Sequence, residues 1–181
     1  MGVFVDGKVY RVKIAGIVGA VWGAAGVLWI LAFAVYRLAP VAAEAIALEF
    51  QWYHWLVFCT NTFFMMYSEG YKGFQLAFSP RVAARAKYLM NHPTVIDILL
   101  APAFCVGYYN TSTHRKTVVY VLTAGIIVLV WLVRMLEQPW RGIIDAGVVV
   151  GLSWGIVATT AYVVYAFVSP RFDHDPEVGR E

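Results

Sequence analysis

The second long apolar run of this chain, residues 46–66, reads IALEFQWYHWLVFCTNTFFMM and contains several polar residues. An α-helix turns by about 100° per residue, which brings these residues and Glu69, just beyond the run, onto one face. The members of this polar stripe are Gln51, His54, Asn61, Thr62 and Glu69. Lipid offers no hydrogen bonds, so polar groups on an apolar helix must point at protein or water. We therefore predict that the stripe is a buried, candidate functional face and that the opposite face, with Trp55 and Phe63, points outward.

The composition is typical of a membrane protein. Of the 181 residues, 61% are hydrophobic and 14% are charged, whereas a soluble domain is nearer half apolar and a quarter charged. The net charge is +3, and the basic residues lie beside apolar runs. This pattern indicates membrane topology and contact with membrane lipids, and it argues against nucleic acid as a partner. Cys59 and Cys105 both lie inside apolar runs, which favours buried free thiols over a disulfide.

Five runs are candidates for transmembrane spans, namely residues 14–38, 46–66, 94–109, 118–136 and 143–168. A span of roughly 17–25 residues crosses a hydrocarbon core of about 30 Å. The first run would measure about 37 Å as a helix, which is too long for the apolar part of a signal peptide, so we predict an uncleaved span. The sequence predicts an all-α, polytopic transmembrane helix bundle of about five spans, with a single domain over residues 1–170.

The third run leaves an alternative open. It is short, contains Asp97 and is interrupted by Pro102. If this segment is re-entrant, the protein has four spans, and its Lys and Arg residues are more strongly biased to the cytoplasmic side. We favour five spans because the run is almost entirely apolar. Both topologies place the N-terminus in the cytoplasm.

Two segments outside the runs have signatures of their own. Ser79 and Pro80 predict a helix start, with Ser79 as the N-cap and Pro80 at the first helical position. Residues near 80–90 then separate basic from apolar side chains, which predicts an interfacial helix with Arg81 and Arg85 toward lipid headgroups. Residues 171–181 are polar and acidic, and we predict that they form a flexible tail.

Small residues recur at every fourth position in two of the runs. Gly19 and Gly23 form one such ridge, and Gly147, Gly151 and Gly155 form the other. Small residues at this spacing let helix backbones approach closely. We predict that both ridges pack against helices, and we favour helices of this chain over those of a second copy.

Under the five-span topology, charged residues collect at the cytoplasmic face. This predicted charged cluster consists of Arg81, Arg85, Asp97, Arg134, Glu137, Arg141 and Asp145. Residues three or four apart on a helix can pair, as Arg134 with Glu137 and Arg141 with Asp145. The cluster could bind a lipid headgroup or a partner protein, or it could be structural.

His54 is the deepest ionisable residue of its run, about 12 Å from where the run begins. A neutral histidine bonded to a neighbouring helix is the simplest interpretation, and a proton relay is the alternative. The other histidines, His92, His114 and His174, lie outside the runs. A haem or metal ion held by one chain needs a second ligand at this depth, so we predict no cofactor and no metal.

Motifs that indicate a reaction are absent from the sequence, including the nucleophile elbow, the zinc-protease helix, CxxC and the phosphate loop. We therefore predict a non-enzymatic integral membrane protein, a scaffold or accessory subunit that packs in an oligomer or a larger membrane complex. One alternative is a small channel or proton-coupled transporter that uses the polar face of the second span. Another is a lipid-modifying membrane enzyme that works at the charged cluster.

Three segments carry a resemblance. They are EGYKGFQ at residues 69–75, FSPR at residues 78–81 and QPWRGIIDAG at residues 138–147. Together they resemble a family of small, uncharacterised bacterial inner-membrane proteins, over roughly the second to the fifth span. The resemblance implies location in a bacterial inner membrane, and it implies no activity.

Overall fold

The chain folds mainly into helices. The structure, a computed structural model, describes residues 2–5, 8–11 and 14–178. Its elements in chain order are β1 (Gly2–Val5), β2 (Lys8–Arg11), α1 (Ile14–Ile46), α2 (Trp52–Met65), a π-helix (Met66–Phe78), α3 (Ser79–Asn91), α4 (Val95–Leu99), α5 (Ala101–Val106), α6 (Thr113–Arg134) and α7 (Trp140–Val168). The two short strands pair antiparallel, with Gly2 opposite Arg11.

Three of these helices, α1, α6 and α7, are long and apolar enough to cross a membrane. The protein is therefore a helical membrane protein, as the composition indicates. The number of such helices in the described part of the chain is smaller than the five spans predicted. The difference comes from the second and third runs, which do not form single long α-helices.

The second run is shared among several helices. α1 continues through Pro40 as far as Ile46, so it includes the first residue predicted for the second span. After a bend, α2 begins at Trp52 and has 14 residues, and the wider turns of the π-helix follow it directly. Because the helix changes from α to π at Met66, the α-helical part alone is shorter than a span of roughly 17 residues.

The third run is broken into two short helices. α4 has five residues and α5 has six. Leu100 lies between them with φ −101° and ψ 25°, outside helical geometry, and Pro102 stands in the first turn of α5. Gly107 ends α5 with a φ of 97°, a left-handed conformation that glycine adopts without steric cost. Pro102 has no N–H to donate to the carbonyl of Ile98 four residues earlier, and its ring would clash with that carbonyl, so one continuous helix does not form here.

The predicted single domain divides into two compact units. Unit 1 contains residues 1–29, 78–120 and 159–181, and unit 2 contains residues 30–77 and 121–158. The chain passes between the units several times, and α1, α6 and α7 each contribute to both. Since neither unit is one continuous stretch, no linker in the sequence could mark the division.

α3 is a core helix of unit 1, and the prediction that Arg85 points toward lipid headgroups is wrong. Its apolar residues Val82, Ala83, Ala86 and Leu89 are all buried, and so is Arg85. The helix starts where Ser79 and Pro80 predict it. Small alanine side chains let neighbouring segments pack closely around α3, and Arg85 is buried among them.

The C-terminal segment belongs to unit 1 and contacts it through Phe172, Pro176 and Glu177. Phe172 is 8% exposed and lies in a core cluster with Ala83, Ala84, Val163 and Ala166. The prediction that this segment is flexible rests on its polar and acidic composition. A single aromatic side chain is enough to anchor it, because burying one stabilises by about 1.5–3 kcal/mol.

Candidate functional site

The polar stripe of the second run packs against the glycine ridge of α7, inside unit 2. Asn61 Nδ2 donates a 2.8 Å hydrogen bond to the main-chain carbonyl of Ile143. A methyl group on Gly147 would overlap the amide nitrogen of Asn61. The absence of a side chain at Gly147 therefore gives Asn61 the room to reach a carbonyl of α7.

Glu69 packs against Gly151, which follows Gly147 by one helical turn on the same ridge of α7. A Cβ atom on Gly151 would stand 3.0 Å from Glu69 Oε2 and 3.2 Å from its Cβ, so the whole glutamate side chain rests against this glycine. The third glycine of the ridge, Gly155, lies against the ring of Phe74. Glu69 is half-buried, and no hydrogen bond or ion pair joins it to another residue in the described part of the chain.

His54 stands at the beginning of α2 rather than deep in a span. α2 starts at Trp52, so His54 belongs to the first helical turn, and its Nδ1 accepts a 3.2 Å hydrogen bond from the main-chain N–H of Gln51. The ring is buried against Trp140, with the ring centroids 5.1 Å apart. His54 thus satisfies a backbone donor that the helix leaves unpaired, which is a capping role. No group of three His, Cys, Asp or Glu side chains placed to hold a metal ion occurs among residues 14–178.

The other members of the stripe differ in their surroundings. Gln51 is exposed, whereas Thr62 is half-buried and its Oγ1 has no hydrogen-bond partner among the described residues. The opposite face of α2 points outward, with Trp55 49% exposed and Phe63 67% exposed. The helix therefore has an inner, polar face and an outer, apolar face. The stripe residues that pack against the glycines of α7 are Asn61 and Glu69.

The predicted charged cluster is divided between the two units. Arg81, Arg85 and Asp97 belong to unit 1, and Arg134, Glu137, Arg141 and Asp145 belong to unit 2. Arg141 Nε lies 3.8 Å from Asp145 Oδ2, which is the pair expected from their spacing. Arg134 and Glu137 are both exposed and form no ion pair with each other, because α6 ends at Arg134 and Glu137 is not on the helix.

Arg85 is the centre of the polar contacts in unit 1, a role that the sequence did not reveal. Its Nη1 donates to the carbonyl of Pro176 at 3.0 Å, and its Nη2 donates to those of Tyr109 at 2.9 Å and Asn110 at 3.1 Å. Its Nε donates to the carbonyl of Phe104, and the guanidinium lies 4.2 Å from the centre of that ring. Four main-chain acceptors from two separate segments thus share one buried cation.

Burial lowers the pKa of Arg85, because desolvation disfavours its charged form. The nearby Cys105, Glu177, Tyr109 and Asp97 offset part of this effect. Asp97 is itself buried, and its carboxylate and main-chain N–H both bond to the hydroxyl of Thr94, which caps α4. Arg85 and Asp97 therefore hold turns and a helix end of unit 1, and Arg81 is half-buried on α3.

The glycine ridge of α1 packs within unit 1. A Cβ on Gly19 would stand 3.0 Å from Ile98 and 3.4 Å from Leu89. A Cβ on Gly23 would stand 2.7 Å from the sulfur of Cys105. Both ridges predicted from the sequence therefore meet residues of the same chain, and the close approach of the helices depends on the missing side chains.

No family model, no curated protein and no solved structure matches this chain.

Proposed function

We propose that this chain is a non-enzymatic subunit of a membrane assembly and that α6 is the helix that packs against a neighbouring membrane protein. The observation that carries the proposal is the exposure of α6. Only 6% of its most apolar stretch is buried, compared with 28% for each of α1 and α7. A helix that makes so few contacts within its own chain leaves almost its whole surface for lipid or for another protein.

Gly125 favours a protein neighbour over lipid. A glycine inside a helix costs about 1 kcal/mol relative to alanine, and the glycines of α1 and α7 each lie against another part of the chain. Gly125, in the middle of α6, has nothing within 4 Å of the position of a Cβ atom. Since no described residue of the chain packs against Gly125, the close approach of a helix from outside is its best physical explanation.

We also propose that the chain crosses the membrane four times and that the third run, residues 94–109, does not cross it. α2 and the π-helix together run from Trp52 to Phe78 and supply the fourth crossing besides α1, α6 and α7. Arg115, near the start of α6, pairs with Glu177, beyond the end of α7, at 3.0 Å. This contact supports an α6–α7 hairpin whose two ends share one membrane face, which the Lys and Arg bias makes cytoplasmic.

The bacterial inner membrane is the location we propose, on the resemblance of residues 69–75, 78–81 and 138–147 to small bacterial inner-membrane proteins. The remaining apolar surface is in contact with membrane lipids. The location and the lipid contact are the same whether the partner of α6 is a second copy of this chain or a different membrane protein.

The experiment is native mass spectrometry of the full chain purified from its membrane in a mild detergent. We expect a second membrane protein chain at fixed stoichiometry. A Gly125→Trp variant should lose that chain, because the indole keeps the helices apart. Ile127→Trp is the matched control, since it adds bulk on the other side of the same helix, and it should keep the partner.

Two results would overturn the proposal. One is a wild-type chain that is monomeric in both detergent and lipid nanodiscs. The other is a partner that Gly125→Trp and Ile127→Trp retain equally, which would place the interface elsewhere. Circular dichroism of both variants checks that helix content is unchanged.

A further inference from the structure

Glu69 is a carboxyl group whose surroundings do not stabilise a negative charge. Its side chain rests against Gly151, a residue without a side chain of its own. No hydrogen-bond donor and no cation is paired with its carboxyl group among the described residues. A buried carboxylate without such partners is disfavoured, so these surroundings favour the protonated group over the ionised one.

The charged groups on the elements around Glu69 are engaged elsewhere. On α7, Arg141 and Asp145 pair with each other, and residues 146–168 contain no charged side chain. On the π-helix, the ammonium of Lys72 lies 4.9 Å from the centre of the Tyr67 ring. On α2, the one histidine is His54, which caps the opposite end of the helix from Glu69.

We propose that Glu69 is a proton-binding site that holds a neutral carboxyl group against α7 at neutral pH. A carboxylate removed from water costs several kcal/mol unless a cation or hydrogen-bond donors replace the water, and a group without them takes up a proton instead. Half-buried, Glu69 is still reachable by a small molecule. This site does not depend on the role proposed for α6, and separate variants test the two.

A hydrophobic carbodiimide detects this state chemically, because it reacts with a carboxylic acid and not with a carboxylate. The acid oxygen bonds to the central carbon of the reagent, and the acid proton moves to one of its nitrogens, giving an O-acylisourea. The acyl group then migrates to nitrogen as the C–O bond breaks, which leaves a stable N-acylurea. The adduct contains the whole reagent, and nothing is released.

The experiment treats the full chain, in lipid vesicles, with dicyclohexylcarbodiimide and measures the modified peptides by mass spectrometry. At neutral pH, we expect Glu69 to be labelled at least about tenfold more than the exposed Glu137, since a tenfold difference in protonated fraction is a modest shift. Glu69→Gln should lose this label. At strongly acidic pH, both peptides should be labelled, which checks that the reagent reaches each site.

Labelling of Glu69 only at acidic pH, with the same pH profile as Glu137, would overturn the proposal. A second measurement does not need the reagent. Glutamine closely resembles a neutral carboxyl group in shape, so Glu69→Gln should leave the unfolding temperature in detergent unchanged. A marked fall in that temperature would mean that a carboxylate with a charged partner had been removed, and it would also contradict the proposal.

Discussion

Arg85 Nη1 donates a 3.0 Å hydrogen bond to the main-chain carbonyl of Pro176, a residue 91 positions further along the chain. The same guanidinium binds carbonyls at the end of α5 and in the loop that leads to α6. One buried cation therefore joins α3, this loop and the C-terminal segment. The packing of these three segments of unit 1 therefore depends on main-chain acceptors and not on side-chain acceptors.

Replacing Arg85 with Gln should destabilise the protein strongly. The shorter, neutral side chain leaves several buried carbonyls without a donor, and each such loss costs about 1–3 kcal/mol. We expect the free energy of unfolding to fall by at least about 3 kcal/mol, measured by thermal unfolding in detergent. Lys116→Gln is the control, because Lys116 is exposed in the first turn of α6. Equal shifts for the two variants would contradict the role of Arg85.

The C-terminal segment should depend on Phe172 more than on its ion pair. Phe172 is buried, whereas Glu177, which pairs with Arg115, has a side chain 42% exposed. Exposed ion pairs contribute about 0–1 kcal/mol. Phe172→Ala should therefore speed hydrogen exchange over residues 169–178 by at least about tenfold.

Glu177→Gln is the comparison, and it should leave that exchange within about threefold of the wild type. Its main-chain carbonyl still accepts from the hydroxyl of Thr111 at 3.0 Å. If Glu177→Gln released the segment and Phe172→Ala did not, electrostatics rather than packing would hold it.

Gly147→Ala should destabilise the seam between the polar stripe and α7. The added methyl group overlaps the amide of Asn61, which must turn away from the Ile143 carbonyl. We expect a loss of about 1–3 kcal/mol in the free energy of unfolding. In the chain separated from its partner, Gly125→Ala places the methyl group in open space and should instead raise helix stability by up to about 1 kcal/mol. Titration with a denaturing detergent measures both, and a loss for Gly125→Ala as large as that for Gly147→Ala would argue against the seam.

Reporter fusions separate four crossings from five. With four, a fluorescent protein attached after Glu181 should fluoresce, because it folds on the cytoplasmic side together with the N-terminus. Alkaline phosphatase inserted between α6 and α7 should be active, because that connection lies across the membrane. Phosphatase activity from a fusion after Glu181 would instead support five crossings.

Local patterns predicted the parts of this protein that repeat along a helix. The apolar runs identify α1, α6 and α7, and the spacing of small residues identifies both glycine ridges. The stripe from Asn61 to Glu69 follows from the angle per residue. These features depend on hydropathy and on helix geometry, which neighbouring residues in the sequence determine.

Breaks in the helices were harder to predict. Pro102 indicated an interruption of the third run, but the almost wholly apolar composition of that run favoured a span. Nothing near Met66 marks the change from α to π geometry. His54 was placed too deep because the start of α2 was taken from hydropathy, and hydropathy does not show where a backbone turns.

The sequence by itself determined that this is a helical membrane protein with an amphipathic second run and two small-residue ridges. The tertiary structure alone decided that the stripe meets the ridge of α7, that Arg85 is buried among carbonyls and that the acidic tail packs on unit 1. The physical reason is the type of hydrogen-bond acceptor involved. Arg85 and Asn61 bind main-chain carbonyls, which every residue has and no sequence pattern distinguishes, so only the path of the chain selects which of them lie within reach.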